Sequence, residues 1–103
     1  MIAELVKFRI PQGMTRDEVL EVARSTYAGW QAHPDLLRKH YLIDEERGVG
    51  GGFYVWKSRA AAEAAHDEVF RARVKERFGS EPEFTYFDLQ ALVDNESGSI
   101  TEF

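Results

Sequence analysis

From Ile2 to Ile10 the chain alternates, with Ile2, Val6, Phe8 and Ile10 on one side and Lys7 and Arg9 on the other. A period of two predicts a strand that turns one face to a core. Pro11-Gln12-Gly13 interrupts it, and Thr15-Arg16-Asp17-Glu18 then reads as a capping box. In that arrangement the Thr15 hydroxyl accepts from an early helical N–H while Glu18 reaches back to the cap. The period now becomes helical, with Val19, Val22, Ala23, Thr26 and Trp30 on one stripe. His33-Pro34 ends the helix, because the residue before proline is pushed out of the α region.

Leu36 to Ile43 predicts a second strand, with Leu37, Tyr41 and Ile43 set against Leu36, Arg38, His40 and Leu42. Asp44 to Gly52 reads as a turn rich in charge and glycine. Phe53-Tyr54-Val55-Trp56 is apolar on both faces, as in a strand covered on both sides. Ser58 caps a second helix running to about Phe78, with Ala62, Ala65, Val69, Phe70 and Val74 on its apolar side and Gly79 as its C-terminal cap. After Pro82 a last strand is expected over Phe84 to Val93. The polar residues 94–103 read as a partly mobile tail behind a single domain over 1–93.

The order β-α-β-β-α-β predicts an α+β, ferredoxin-like fold: a four-stranded antiparallel sheet with two helices on one face. Strands one, three and four carry apolar residues on both sides, so the second face also needs cover. A second copy of the sheet is the simplest cover, and a homodimer is expected.

At 103 residues the chain has the size of one domain, able to bury roughly two-thirds of its unfolded surface without staples. The absence of cysteine removes disulfides, thiolate metal sites and a thiol nucleophile, and fits a reducing, cytoplasmic setting. The N-terminal segment has no apolar h-region, and no apolar run reaches the ~20 residues of a membrane span. A net charge of −5, with basic residues scattered among acidic ones, argues against nucleic acid as a partner. Aromatic residues make up 13% of the chain, an excess that needs a place in the fold.

Leu36-Leu37-Arg38-Lys39-His40-Tyr41-Leu42-Ile43, followed by Gly50-Gly51-Gly52-Phe53-Tyr54-Val55-Trp56, resembles the YdhR-like monooxygenase family. There an aliphatic pair, a lysine and an aromatic on strand two precede a glycine pair that leads into strand three. The second helix and the strand after it fit in length, although His40 after Lys39 departs from the pattern. The resemblance implies a dimeric α/β barrel of the antibiotic-biosynthesis-monooxygenase type. Cofactor-free oxygenases of that superfamily act on aromatic quinols or polyketides in a cavity between sheet and helices. Some relatives degrade haem, isomerise lactones or sense small ligands.

The glycines Gly48 to Gly52 link two strands, so no helix N-terminus stands ready for a phosphate, and a hairpin turn explains them. His66 lies beside the apolar stripe of helix two. It is either a cavity-facing proton shuttle, its reference pKa of ~6.5 suiting that task, or a surface residue next to Asp67. His40 shares a strand face with Arg38 between Leu36 and Leu42, while His33 before Pro34 reads as a loop residue. The three histidines lack ligand spacing, so no metal site is expected, and no Gly-x-Ser-x-Gly elbow is present. Most aromatics belong to the core or a dimer interface. An apolar pocket with a few polar groups would nevertheless suit a small aromatic ligand. Trp30, Tyr54, Trp56 and Phe70 are candidates for its walls, with Arg38, Lys39 and Tyr41 beside them and His66 or His40 as the base. The leading expectation is a monooxygenase without a bound cofactor, acting on a small aromatic, quinol or polyketide-like metabolite. A non-catalytic ligand-binding or stress-response barrel and a haem-degrading enzyme are the alternatives.

Overall fold

The computed structural model describes all 103 residues. Four strands, β1 (Ile2–Arg9), β2 (Leu36–Asp44), β3 (Val49–Trp56) and β4 (Glu83–Asp88), form one antiparallel sheet in the order β2-β3-β1-β4. This is the expected ferredoxin-like arrangement. Between them lie α1 (Arg16–Arg24), α2 (Tyr27–Gln31), α3 (Arg59–Ala65) and α4 (Glu68–Phe78). α2 packs on β2, α3 on β3 and α4 on β1. No helix is long and apolar enough to cross a membrane.

Each of the two expected helices is broken, for a local reason. After α1, the hydroxyls of Ser25 and Thr26 donate to the carbonyls of Val22 and Ala23 at 2.6 and 2.7 Å. Such back-bonding competes with the helical ladder and turns the chain into α2. After α3, His66 leaves helical geometry (φ −102°, ψ 53°), and Asp67 caps α4 by accepting from the Phe70 N–H at 3.0 Å. Gly79 closes α4 in the left-handed conformation, φ +79°. The capping box of α1 is formed as read: the Glu18 N–H donates to Thr15 Oγ1 at 3.1 Å and the Thr15 N–H to Glu18 Oε1 at 3.0 Å. Thr15→Ala should therefore cost about 1 kcal/mol. A urea melt of that variant with an unshifted midpoint would show that the cap contributes nothing.

The glycine run differs from the expected turn. Gly48 alone holds a turn conformation (φ +66°), and Gly50, Gly51 and Gly52 lie inside β3. A Cβ on Gly51 would stand 1.8 Å from the Val6 carbonyl oxygen, and one on Gly52 would press on Tyr54 at 2.8 Å and Lys39 Cε at 3.2 Å. These glycines admit close neighbours rather than reverse the chain. The last strand also ends early, at Asp88. Beyond it, β5 (Ala91–Asp94) pairs with β6 (Ser99–Glu102) as a separate hairpin, so residues expected to form a tail are ordered in a ladder.

On the helix-facing side of the sheet stand Ile2, Glu4, Val6 and Phe8 of β1, opposite Trp56, Tyr54, Gly52 and Gly50 of β3. Ile2, Val6, Tyr54, Trp56 and Ala62 make the central core cluster. The other side carries Leu5, Phe53 and Val55, half-buried, with Leu42 and Phe87 exposed.

Candidate functional site

Two polar constructions lie beneath the helices. The deeper one is wholly enclosed. Glu4, with 0% of its surface exposed, accepts from the indole N–H of Trp56 at 2.8 Å through one oxygen. Its other oxygen lies 2.8 Å from Nδ1 of His66, which is 2% exposed. The Nδ1–H···carboxylate contact fixes the ring, as a carboxylate does for an imidazole elsewhere. Nε2 of His66 is buried and has no hydrogen-bond partner. Phe70, Tyr54, Phe84, Trp30 and Trp56 surround that imidazole with ring centroids 4.3 to 5.8 Å away. Burial and then the Glu4 carboxylate hold the Tyr86 phenol well above its ordinary pKa.

The second construction is a cavity of about 600 Å³ between α1, α2, α4 and the β1–β3 part of the sheet. Its walls include Val6, Phe8, Val22, Trp30, Tyr41, Tyr54, Phe70, Val74 and Phe78. Lys39 projects into it from β2. The Lys39 Nζ stands 4.0 Å from the ring centroid of Tyr41 and 4.6 Å from those of Trp30 and Tyr54. Three aromatic faces partly replace the hydration of an ammonium. Burial nevertheless pulls the Lys39 pKa down to about 7, against an upward pull from Glu4. The Tyr54 phenol is pushed far up, chiefly by burial and then by the Glu4 charge. The Tyr41 hydroxyl shares a 2.6 Å hydrogen bond with Thr26 Oγ1, which ties β2 to the kink between α1 and α2.

Of the residues singled out in the sequence, Trp30, Lys39, Tyr41, Tyr54 and Phe70 come together around this cavity, and His33 joins its lining. Four do not. His40 and Arg38 stand on the opposite sheet face, because the β2 register that points Lys39 and Tyr41 inward sends their neighbours outward; His40 lies over Phe53. His66 and Trp56 are behind the wall, held there by Glu4, so neither the surface position nor the cavity position expected for His66 is found. Glu4 itself was missed, although the alternation that selects Ile2, Val6 and Phe8 also selects position 4. Arg16, Arg73 and Arg77 at the cavity mouth left no such signal, since charged positions on helices ordinarily face water. No group of three His, Asp or Glu side chains converges anywhere in the chain.

The same fold recurs in solved structures of low identity. A protein of unknown function from Nitrosomonas europaea superposes with a TM-score of 0.72 at 16% identity, over 88% of this chain and 90% of its own. A structure described as an antibiotic biosynthesis monooxygenase gives 0.67 at 18%, over 86% and 98%. A monooxygenase from the gene ActVA-Orf6 of Streptomyces coelicolor, in complex with the ligand Nanaomycin D, gives 0.66 at 15%, over 86% and 87%. No protein-family model and no curated protein matches the chain. What the chain shares with these structures, at identities of 15–18%, is the fold.

Proposed function

We propose that this chain is a cofactor-independent monooxygenase of the YdhR-like type, acting on a small hydroxylated aromatic, quinol or polyketide-like metabolite. The observation that carries the reading is Lys39, an amine with a pKa of about 7 held among Trp30, Tyr41 and Tyr54 inside the cavity. A base is most effective when its pKa lies near the working pH. The neutral Lys39 amine takes the proton of a substrate phenol. The phenolate transfers one electron to O₂, and the resulting radical pair joins at a ring carbon. The Lys39 ammonium returns its proton to the peroxide, and loss of the ring hydrogen with cleavage of the O–O bond then leaves a carbonyl and water beside a neutral amine. Phenol plus O₂ thus gives quinone plus water, with all four electrons drawn from the substrate. The protein supplies a base, a shaped apolar pocket and exclusion of water. His66 and His40, expected to be the base, are replaced in this reading by Lys39, which lines the cavity as neither of them does.

An oxygen-electrode screen with quinols and hydroxylated aromatics, in the presence of a chelator, tests it. O₂ uptake without added flavin or metal is the expected result. Ligands that raise the melting temperature without O₂ uptake would instead favour a binding protein using the same cavity. Haem fits less well. The unpartnered Nε2 of His66 has the carboxylate support typical of a metal-ligating imidazole. That nitrogen is nevertheless sealed from the cavity by Trp30, Tyr54 and Phe70.

A homodimer is part of the proposal. The sheet face away from the helices offers Leu5, Phe53, Val55, Leu42 and Phe87, and the β5–β6 hairpin leaves Leu92, Val93, Ile100 and Phe103 between 43% and 75% exposed. Exposed apolar residues on this face support a contact between two copies of the chain. Sedimentation at micromolar concentration should give about twice the 11.8 kDa of one chain, and a monomer would sink the idea. The cysteine-free sequence suits a cytoplasmic setting.

A further inference from the structure

Apart from histidine and tyrosine, the ionisable side chains that line the cavity are all basic. Arg16, Lys39, Arg73 and Arg77 line it, and no aspartate or glutamate does. The chain as a whole has 18 acidic and 13 basic side chains, so chance would more often place carboxylates there than arginines. An acidic protein has thus built a cationic pocket. The field from such a concave site, walled by apolar side chains, attracts and retains anions.

The arginines differ in what they already hold. Arg16 pairs with Glu45 at 3.3 Å. Arg77 donates through Nη1 to the Ser25 hydroxyl at 3.2 Å, which leaves most of its five N–H donors unused. Arg73 makes neither a hydrogen bond nor an ion pair. Arg73 and Arg77 stand one helical turn apart on α4, where two like charges repel each other mildly. The dipole at the C-terminal end of α4 favours basic residues there. It does not account for the direction of these two, since Lys75 between them is absent from the lining while Arg73 and Arg77 share it with Phe70, Val74 and Phe78. Lys39 stands across the cavity floor on β2, with β3 between it and the strand on which α4 packs.

We propose that the substrate of this cavity is an aromatic acid: its hydroxylated ring lies among Trp30, Tyr41 and Tyr54 at Lys39, and its carboxylate is held at the mouth by Arg73 and Arg77. This rests on the oxygenase reading for the chemistry but not for the binding. The paired guanidinium groups provide planar, charge-assisted hydrogen bonds that a neutral group cannot reciprocate. Loading also removes the repulsion between them.

Calorimetry at pH 7.5 with 6-hydroxy-2-naphthoic acid and with its methyl ester tests the inference, since the probes share a ring and hydroxyl and differ in charge. The acid should bind at least tenfold more tightly in low salt, and the margin should shrink as salt is raised. In the Arg73→Gln/Arg77→Gln variant the margin should fall to about one while ester affinity is retained. The exposed positions of both residues leave the fold intact, which an unchanged melting temperature would verify. Equal binding of acid and ester, failure of both to bind, or discrimination that survives in the double variant overturns the proposal. O₂ uptake with oxidisable quinol acids and their esters separates the two readings. Uptake that ignores the carboxylate defeats the anion site alone. Charge-selective binding with no uptake from any quinol defeats the oxygenase and leaves the anion site standing.

Discussion

Lys39→Met should lower O₂ uptake at least a hundredfold, and it should make the protein more stable at pH 6. The first effect follows from removing the general base, a contribution of about 10²- to 10⁴-fold. The second follows from linkage. The Lys39 amine has an ordinary pKa near 10.5 when the chain is unfolded and about 7 when it is folded. Between those values the unfolded chain binds a proton that the folded one does not, so stability rises with pH across that window. Below about pH 7 both states carry the charge, and the folded protein bears the whole cost of burying it. Methionine fills the same stem among the aromatic rings without a charge. Its advantage should be largest at pH 6 and fade towards pH 10. The pH dependence of kcat/KM in the native protein should show a group near 7 that must be deprotonated. Melts of the two proteins at pH 6 and pH 9.5 would decide the matter: a constant difference would mean that Lys39 keeps an ordinary pKa and is no candidate base.

The four-stranded sheet and its two helical crossovers were legible because period, cap or breaker marked them, whereas the β5–β6 hairpin gave no such signal. Thr15 with Glu18, Ser58 and Gly79 all serve as their residue types suggest. What escaped the pattern was decided by tertiary contact. The second helix breaks at His66 because that ring turns inward to meet Glu4, a residue 62 positions away, while Asp67 takes over as a cap. Gly50 to Gly52 read as turn residues, yet their role depends on Val6, Phe8 and Lys39 on neighbouring strands. The site was half visible. Lys39, Tyr41 and Tyr54 follow from strand register once the resemblance draws attention to them. Histidine was favoured over lysine as a base because its ordinary pKa is near neutral, whereas the lowered value of Lys39 comes from burial that no local pattern reveals.

Glu4→Ala should cost about 3–5 kcal/mol, the range for stripping one partner from a buried ionic or charge-assisted pair. That is a large share of the ~5–15 kcal/mol that holds a domain together. The carboxylate receives the Trp56 indole N–H and faces His66 Nδ1, and neither group can reach water. Alanine leaves both donors buried without an acceptor, at ~1–3 kcal/mol each, and opens a void under the aromatic wall. Glu4→Gln is the informative intermediate. Its carbonyl can serve one donor, but its amide N–H₂ then confronts the other, so a smaller loss is expected. Adding Trp56→Phe and His66→Phe to Glu4→Leu should recover much of the deficit, because an apolar cluster of similar volume has no unmet donors. Urea melts of the series measure each step. If Glu4→Ala melts like the native chain, the carboxylate is not what orders these rings. If Glu4→Ala loses stability and the apolar triple variant loses as much again, packing rather than hydrogen bonding dominates the cluster. The functional consequence is testable in the same proteins. Glu4 pulls the Lys39 pKa upward from behind the Tyr54 wall, so removing its charge should move the group that kcat/KM reports to lower pH, and an unmoved pH profile would mean that the carboxylate does not reach the lysine.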